Sequence, residues 1–414
     1  MEALRRLRQS FIPTSDSLLR LSQGKLLKTE LSEHDFVMTP FTSEVGLNVM
    51  VIQKKGSAAG PVDREVLKRK TLVLMHGYGS GLGFFYKNYA GLLNIYDKVI
   101  AVDWPGMGGS ARDAPALDNS RVPLASIAYT AFTGNRSTMD EAVVPRTLAY
   151  FTNTLNKTLH ELGELGIEGN SFHLAGHSLG GYLVVEYARK YDHVEALVLI
   201  SPAGIPNVPK EAEFDQQSPE SQFGSTLRLV KLFWEFNGTP QQLVRHAGEW
   251  GKTMIKNSLR RRFNGSWKND ELDSVAEYLY HITAMPASGE YVLNSLLQPV
   301  AYYSAPRENS QPMDLNEPPR RGVARAGIYA RKPLEDTMQQ HPFAQSEKPI
   351  LVLYGDNDWL RFDTLDEVLA KWRSFGIKVQ LSIVEKAGHH LYLDNKESFH
   401  AAIDKWQRDS SSVR

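Results

Sequence analysis

The sequence predicts an α/β fold with a mostly parallel central sheet and one large helical insertion. Apolar runs of strand length recur with helix-length stretches between them, the pattern of strands joined by helical crossovers. The runs are continuous rather than alternating, as strands covered on both faces must be. The rhythm then lapses from about 205 to 345, where aromatic-rich helical patterns replace it.

Residues 36–53 alternate more than the later runs and are expected to form antiparallel leading strands, which makes the sheet mixed. Thr71–Met75, Val99–Val102, Phe172–Ala175, Ala196–Ile200, Ile350–Tyr354 and Val379–Val384 are the expected parallel strands. These elements divide the chain into a basic N-terminal extension (1–35), a first core part (36–204), a helical cap (205–345), a second core part (346–408) and a polar tail (409–414) expected to fray. The cap contains no strand-like run and holds a loop rich in proline and arginine, Ala305 to Gly322. A second irregular segment, 111–137, is expected to reach over the site.

The chemistry centres on Gly176-His177-Ser178-Leu179-Gly180, with Gly181 next. It follows a short apolar strand and precedes a helical run, Tyr182 to Tyr191, which is the setting of a nucleophile elbow and of the α/β-hydrolase fold. Ser178 is the candidate nucleophile. A serine held on such a tight turn needs glycine on either side, and the helix that follows aims its free N–H groups at developing negative charge. Upstream, His76-Gly77-Tyr78-Gly79 follows the strand Thr71–Met75. By position, the backbone N–H groups of Tyr78 and Leu179 are the candidate oxyanion hole. Asp103, at the end of the next strand, is read as a structural aspartate in a turn that frames the pocket.

A serine needs a base and the base an orienting acid, in the chain order Ser, Asp or Glu, His. Gly388-His389-His390 lies late in the chain, and His389 is preferred because it directly follows the glycine; His390 is expected to be structural. The acid is expected in the loop Gly355-Asp356-Asn357-Asp358-Trp359-Leu360-Arg361-Phe362-Asp363. Asp358 is favoured, with Asp356 and Asp363 as alternatives. His389 and Asp394 also form a His-x4-Asp pattern, a candidate acyltransferase motif, although Asp394 could instead cap the following helix.

Composition narrows the class. Lys+Arg and Asp+Glu both number 47, which argues against a strongly nucleic-acid-binding protein. The chain has no cysteine, so disulfides, a thiol nucleophile and thiolate metal sites are all excluded. No metal or other cofactor is expected, and the oligomeric state is left open. The first residues, MEALRRLRQSFI, place Leu4, Leu7 and Phe11 at helical spacing with arginines between. Three readings fit them: a mitochondrial presequence, a membrane-surface helix, or a basic start packed on the domain. In the cap, Phe233, Trp234, Phe236, Trp250, Met254, Ile255 and Leu259 offer apolar surface beside Lys252, Lys256 and Arg260–Arg262. That combination suits an anionic membrane surface; equally, the aromatics could pack the cap onto the core while the bases form a solvated face.

HGYGSGLGFF (76–85), DWPGMGGS (103–110), GHSLGGYL (176–183) and GHHLYLD (388–394) resemble the α/β-hydrolase-domain 4/5-type lipid enzymes and their fungal relatives, the mitochondrial cardiolipin-specific deacylases. The early Ile12–Ser15, and Glu277–His281, Ala287–Glu290 and Ala330–Pro333 in the cap, resemble the same group, and the cap matches discriminate better than the core motifs. The resemblance implies acyl-ester chemistry on glycerophospholipids or N-acyl-phospholipids, at membranes or lipid droplets, with a cytoplasmic location as the alternative. It also implies two rivals: acyl-CoA-dependent acylation of lysophosphatidic acid, and a non-catalytic lipase coactivator. One member of the group has asparagine in place of the serine and acts as such a coactivator; this chain has Ser178. Where animal members carry a further aspartate in the acid loop, this chain has Arg361.

Overall fold

The computed structural model describes residues 14–411 apart from 32–34, 57–70, 113–136, 164–170, 211, 213–228, 231–232, 235, 249, 264–266 and 305–322. In chain order its elements are α1 (Asp16–Leu27), β1 (Phe36–Thr42), β2 (Asn48–Lys54), β3 (Thr71–Met75), β4 (Lys98–Val102), α2 (Ser137–Glu161), β5 (Phe172–His177), α3 (Leu179–Lys190) and β6 (Val194–Ile200). Then follow α4 (Pro240–His246), α5 (Trp250–Arg262), α6 (Asn269–Ala284), α7 (Val292–Leu296), β7 (Leu297–Ser304), β8 (Val323–Ala330), β9 (Pro349–Gly355), α8 (Leu365–Ser374), β10 (Lys378–Val384) and α9 (Lys396–Ser411), with short helical turns between.

The main sheet has eight strands in the order β1-β2-β4-β3-β5-β6-β9-β10. β2 pairs antiparallel with β1 and with β4, and every later pair is parallel. The cause is visible in the strands. β1 alternates half-buried and exposed positions, whereas β4 and β5 are buried along their whole length. Parallel strands need helical crossovers, and these cover both faces of the sheet. One face packs Phe151, Leu183 and Trp372 from α2, α3 and α8, and the other packs Leu26, Tyr278 and Trp406 from α1, α6 and α9. The C-terminal ends of β3, β5, β9 and β10 thereby open toward the cap, where ligands bind in such sheets.

The cap and the tail depart from their expected form in three respects. It is not purely helical, because β7 and β8 pair antiparallel from Leu297↔Ala330 to Ser304↔Val323. Pro299 weakens the strand pattern of β7, and its partner lies beyond residues 305–322, so no short-turn signal announces the hairpin. Second, the insertion returns to the core before 345. The Leu334 and Glu335 amides donate to the carbonyls of Gly204 and Ile205, and Leu334, Met338 and Phe343 join the main core. Pro333 and Pro342 split this stretch into short turns, which hides its apolar spacing. Third, the tail does not begin at 409, because α9 continues to Ser411.

α1 lies on the cap side. Leu19, Leu26 and Leu27 are buried in the cluster that holds Val275 and Tyr278 of α6, and Thr14 Oγ1 bonds His281 Nδ1 at 3.1 Å. Residues 14–31 are therefore packed on the cap side, while the basic start itself falls within residues 1–13, which lie outside the described residues. So do 113–136, most of the segment expected over the site, and the loop 305–322. No helix among the described residues is long and apolar enough to cross a membrane.

Candidate active site

β5 runs directly into Ser178, whose φ of 54° and ψ of −120° place it in a conformation that side chains other than glycine rarely adopt. Ser178 is the N-cap of α3, yet its side chain makes no capping bond. The strained turn is fixed by its backbone: the Ser178 N–H donates to Ile200 O at 2.9 Å, and its carbonyl accepts from Ala203 N–H at 3.1 Å. The flanking glycines are there for close approach. A Cβ on Gly176 would strike the Gly180 carbonyl, and one on Gly180 would strike the His76 carbonyl.

With its hydroxyl released from capping, Ser178 meets His389. Oγ lies 3.1 Å from His389 Nε2, and His389 Nδ1 lies 3.2 Å from Asp358 Oδ1. Both the histidine and the aspartate are buried. Burial alone would push the Asp358 carboxyl up, but the bonds from His389 and the Leu360 amide help hold it below its ordinary value. Since both ring nitrogens of His389 are engaged, neither is left for Asp356, Asp363 or Asp394. Asp356 instead accepts the amides of Lys386 and Ala387, both at 2.9 Å, and those bonds lower its pKa. It thus pins the loop that carries the histidine. Asp394 accepts the Gly388 amide at 2.8 Å and Arg262 Nη2 at 3.1 Å. The cap of α9 is Asn395, whose side chain accepts the Ser398 amide, so Asp394 has neither of the roles the sequence offered it.

The loop after β3 brings Tyr78 beside the elbow. A Cβ on Gly77 would stand 3.0 Å from the Cβ of Ser178. His76 shapes this loop: its Nδ1–H donates to Gly77 O at 2.7 Å while Nε2 accepts the Trp104 amide at 3.0 Å. Burial lowers the His76 pKa against the pull of Asp103, so the ring stays neutral in that tautomer. Among the described residues neither the Tyr78 nor the Leu179 N–H has a protein acceptor. Asp103 is the satisfied structural aspartate expected, taking Asn48 Nδ2 and the Gly109 amide, both at 2.7 Å.

Three contributions escaped sequence reading. His177 Nε2–H donates to the His389 carbonyl at 3.0 Å, and burial keeps the His177 ring neutral. Its place beside the serine was the available signal. His390, neutral for the same reason and edge-on to Phe84, is structural as expected. Trp359, next to Asp358, sets its ring 5.2 Å from that of His389 while staying largely exposed. The third contribution comes from the cap. Tyr278 Oη accepts the Gly83 amide at 3.1 Å, and Gly289 N–H donates to Gly106 O at 3.2 Å. Gln241 Oε1 accepts the Tyr78 hydroxyl at 2.6 Å. The cap stretches 277–281 and 287–290 are therefore the pieces that seat it on the loops around the site.

The outer cap is divided. Trp234 and Leu259 are buried, whereas Trp250 is 78% exposed, Leu243 61%, and Phe233 and Phe236 49% each. Lys252 and Lys256 face Glu277 and Asp273 of α6, so part of the expected basic face is neutralised; Arg260 and Arg261 remain exposed.

Fold and site together define an α/β enzyme architecture with a serine on a strand–helix elbow beneath a cap. The chain belongs to the alpha/beta hydrolase family, which it matches over residues 72–402. It is 29% identical to a 1-acylglycerol-3-phosphate O-acyltransferase of Arabidopsis thaliana over 80% of this chain, and it spans only 65% of that plant protein's length. It is 25% identical to a (lyso)-N-acylphosphatidylethanolamine lipase of Bos taurus, covering 83% of this chain and 81% of that one. The fold is also that of a bacterial membrane phospholipase A, with a TM-score of 0.50 and 16% identity over 96% of this chain and 91% of that one.

Proposed function

We propose that the protein is a serine-dependent acyl-ester hydrolase, a phospholipase or deacylase acting on membrane glycerophospholipids such as cardiolipin or N-acyl-phospholipids. The observation that carries this is the bonded series Asp358–His389–Ser178 beside two unengaged amides. Ser178 Oγ attacks the ester carbonyl as His389 Nε2 takes its proton. Asp358 holds the imidazole tautomer and stabilises the imidazolium. The tetrahedral oxyanion lies between the N–H groups of Tyr78 and Leu179, donors worth roughly 10²–10³ in rate each. His389 then protonates the departing lysolipid oxygen. Water, activated by the same histidine, cleaves the acyl-enzyme and regenerates Ser178.

The lipid assignment is supported by the bovine relative and by the cap. Trp250, Leu243, Phe233 and Phe236 offer an apolar outer surface beside Arg260 and Arg261, suited to an anionic bilayer. We infer action as a peripheral enzyme at a mitochondrial or lipid-droplet membrane, in keeping with the basic N-terminus.

A second reading, acyl transfer from acyl-CoA to lysophosphatidic acid, is favoured by the plant relative, since an acyl-enzyme can pass its acyl group to an alcohol as well as to water. The engagement of Asp394 away from His389 counts against a His-x4-Asp pair as its engine. A purely coactivating role leaves the His389–Ser178 bond without use. The test is acyl release from cardiolipin and N-acyl-phosphatidylethanolamine vesicles by purified wild type and Ser178→Ala, read by mass spectrometry, with a parallel arm of acyl-CoA and lysophosphatidic acid. We expect Ser178-dependent fatty acid release; Ser178-dependent transfer without release would replace hydrolase by transferase, and undiminished Ser178→Ala activity would end both.

A further inference from the structure

The His-x4-Asp pattern is not idle, although its aspartate does not touch the histidine ring. Asp394 Oδ2 gathers two donors, the Gly388 amide at 2.8 Å and Arg262 Nη2 at 3.1 Å. Gly388 immediately precedes His389. Arg262 is the last residue of α5 in the cap. Its Nη2 lies 3.1 Å from where a Gly388 Cβ would stand, so the guanidinium rests against the backbone that carries the base. Arg262 also lies 5.1 Å over the ring of its neighbour Phe263, which stacks on Trp267 at 3.8 Å. On the core side, Asp356 holds the same loop through the Lys386 and Ala387 amides. One side of the histidine loop is therefore anchored in the core and the other in the cap.

We propose that Arg262 and Asp394 are a positioning pair through which the seated cap sets the place of His389, a regulation that rests on the hydrolase reading above. With Arg262 in place, the carboxylate is held between guanidinium and Gly388 amide, and Nε2 stands within reach of Ser178. Without it, Asp394 keeps a single donor and the loop loses its cap-side anchor. The pair is partly exposed, 36% at Arg262 and 13% at Asp394, so its own contribution to stability is small. The cost falls on geometry, where a displacement of the base by about 1 Å is worth up to about 10²-fold in rate.

The experiment uses a short-chain soluble nitrophenyl ester, which needs no bilayer, and compares wild type, Arg262→Ala, Arg262→Lys, Asp394→Ala and the double alanine variant. Initial rates give kcat and KM, the labelling rate of Ser178 by a fluorophosphonate gives an independent measure, and thermal melting checks the fold. Each single alanine variant is expected to lose between about tenfold and a hundredfold in kcat and in labelling rate, with KM held within about twofold. The double variant should lose no more than the worse single, and Arg262→Lys should recover most of the loss. Wild-type kcat in Arg262→Ala, or losses that multiply in the double variant, would overturn the pairing. If Ser178→Ala turned over like wild type, the hydrolase reading would fall together with this one; Ser178-dependent turnover that ignores Arg262 removes this one alone.

Discussion

The substitution Asp358→Asn separates the charge of the acid from its hydrogen bonds. Asp358 Oδ1 accepts from both His389 Nδ1 at 3.2 Å and the Leu360 amide at 3.0 Å. That shared oxygen matters. The Leu360 N–H selects the rotamer of the introduced amide that keeps an oxygen toward the imidazole, so the tautomer survives and only the negative charge is lost. The imidazolium that this charge stabilises forms as the serine proton moves. At 3.2 Å and an effective dielectric near 20, the Coulomb attraction is about 5 kcal/mol. Converted at about 1.4 kcal/mol per factor of ten, kcat should fall between about 10³- and 10⁴-fold. Asp358→Ala, which loses the orienting bond as well, should fall at least as far. Asp356→Asn leaves one acceptor where the Lys386 and Ala387 amides use two separate oxygens, so it loosens the histidine loop but should cost kcat less than Asp358→Asn does, and Asp363→Asn should cost nothing measurable. The assay is kcat on a soluble ester, with circular dichroism to establish folding. Asp358→Asn within about tenfold of wild type, or a larger loss at Asp356 or Asp363, would refute the assignment of the acid.

Two further outcomes concern stability. Tyr278→Phe leaves the buried Gly83 amide without its 3.1 Å acceptor, and should lower unfolding free energy by about 1–3 kcal/mol in denaturant titrations. An unchanged midpoint would mean that this contact does not hold the cap. His341 donates from Nε2 to Val185 O and accepts the Phe343 amide at Nδ1, both at 3.1 Å, and burial lowers its pKa to about 4. The unfolded histidine takes its proton near 6.5. Between those values the unfolded chain binds more protons, so stability falls as pH drops through that window, by about 2 kcal/mol at pH 5. Denaturation at pH 7 and pH 5 should show this loss in wild type and a smaller one in His341→Gln; equal losses would refute it.

Some of the site was legible because close backbone approach leaves a mark in the sequence. Gly176 and Gly180 are glycine because strand, helix and the His76 carbonyl crowd them, and Gly355 because its loop presses on the Ala387 carbonyl. Ser178, His389 and Asp358 could be found from such spacings along the strand ends. Asp394 was misread because spacing says nothing of where a side chain turns: beyond the histidine it reaches back to an amide, not to the ring. Gln241, Tyr278 and Arg262 were out of reach for another reason. They lie far along the chain from the loops they touch, and a polar residue at helical spacing reads as solvated until its partner is known. β7 and β8 went unseen because their pairing, too, spans a long connection.

The cap contacts change what kind of catalyst the residues describe. The cap touches three loops around the site: Gln241 and Tyr278 on the loop after β3, Gly289 on the loop after β4, and Arg262 beside Asp394 on the loop that carries His389. The outer side of the same cap bears Trp250, Leu243, Phe233 and Phe236, side chains whose exposure to water is unfavourable. A bilayer relieves that exposure. Whatever it does to the cap acts through a few short polar contacts on the geometry of Tyr78 and His389. On the proposed reading the serine is thus not a free-standing nucleophile on a sheet. On that reading its donors and its base are set in part by an element whose other face suits a lipid surface, so turnover on vesicles should depend on that outer face in addition to the cap contacts that also set turnover on a soluble ester.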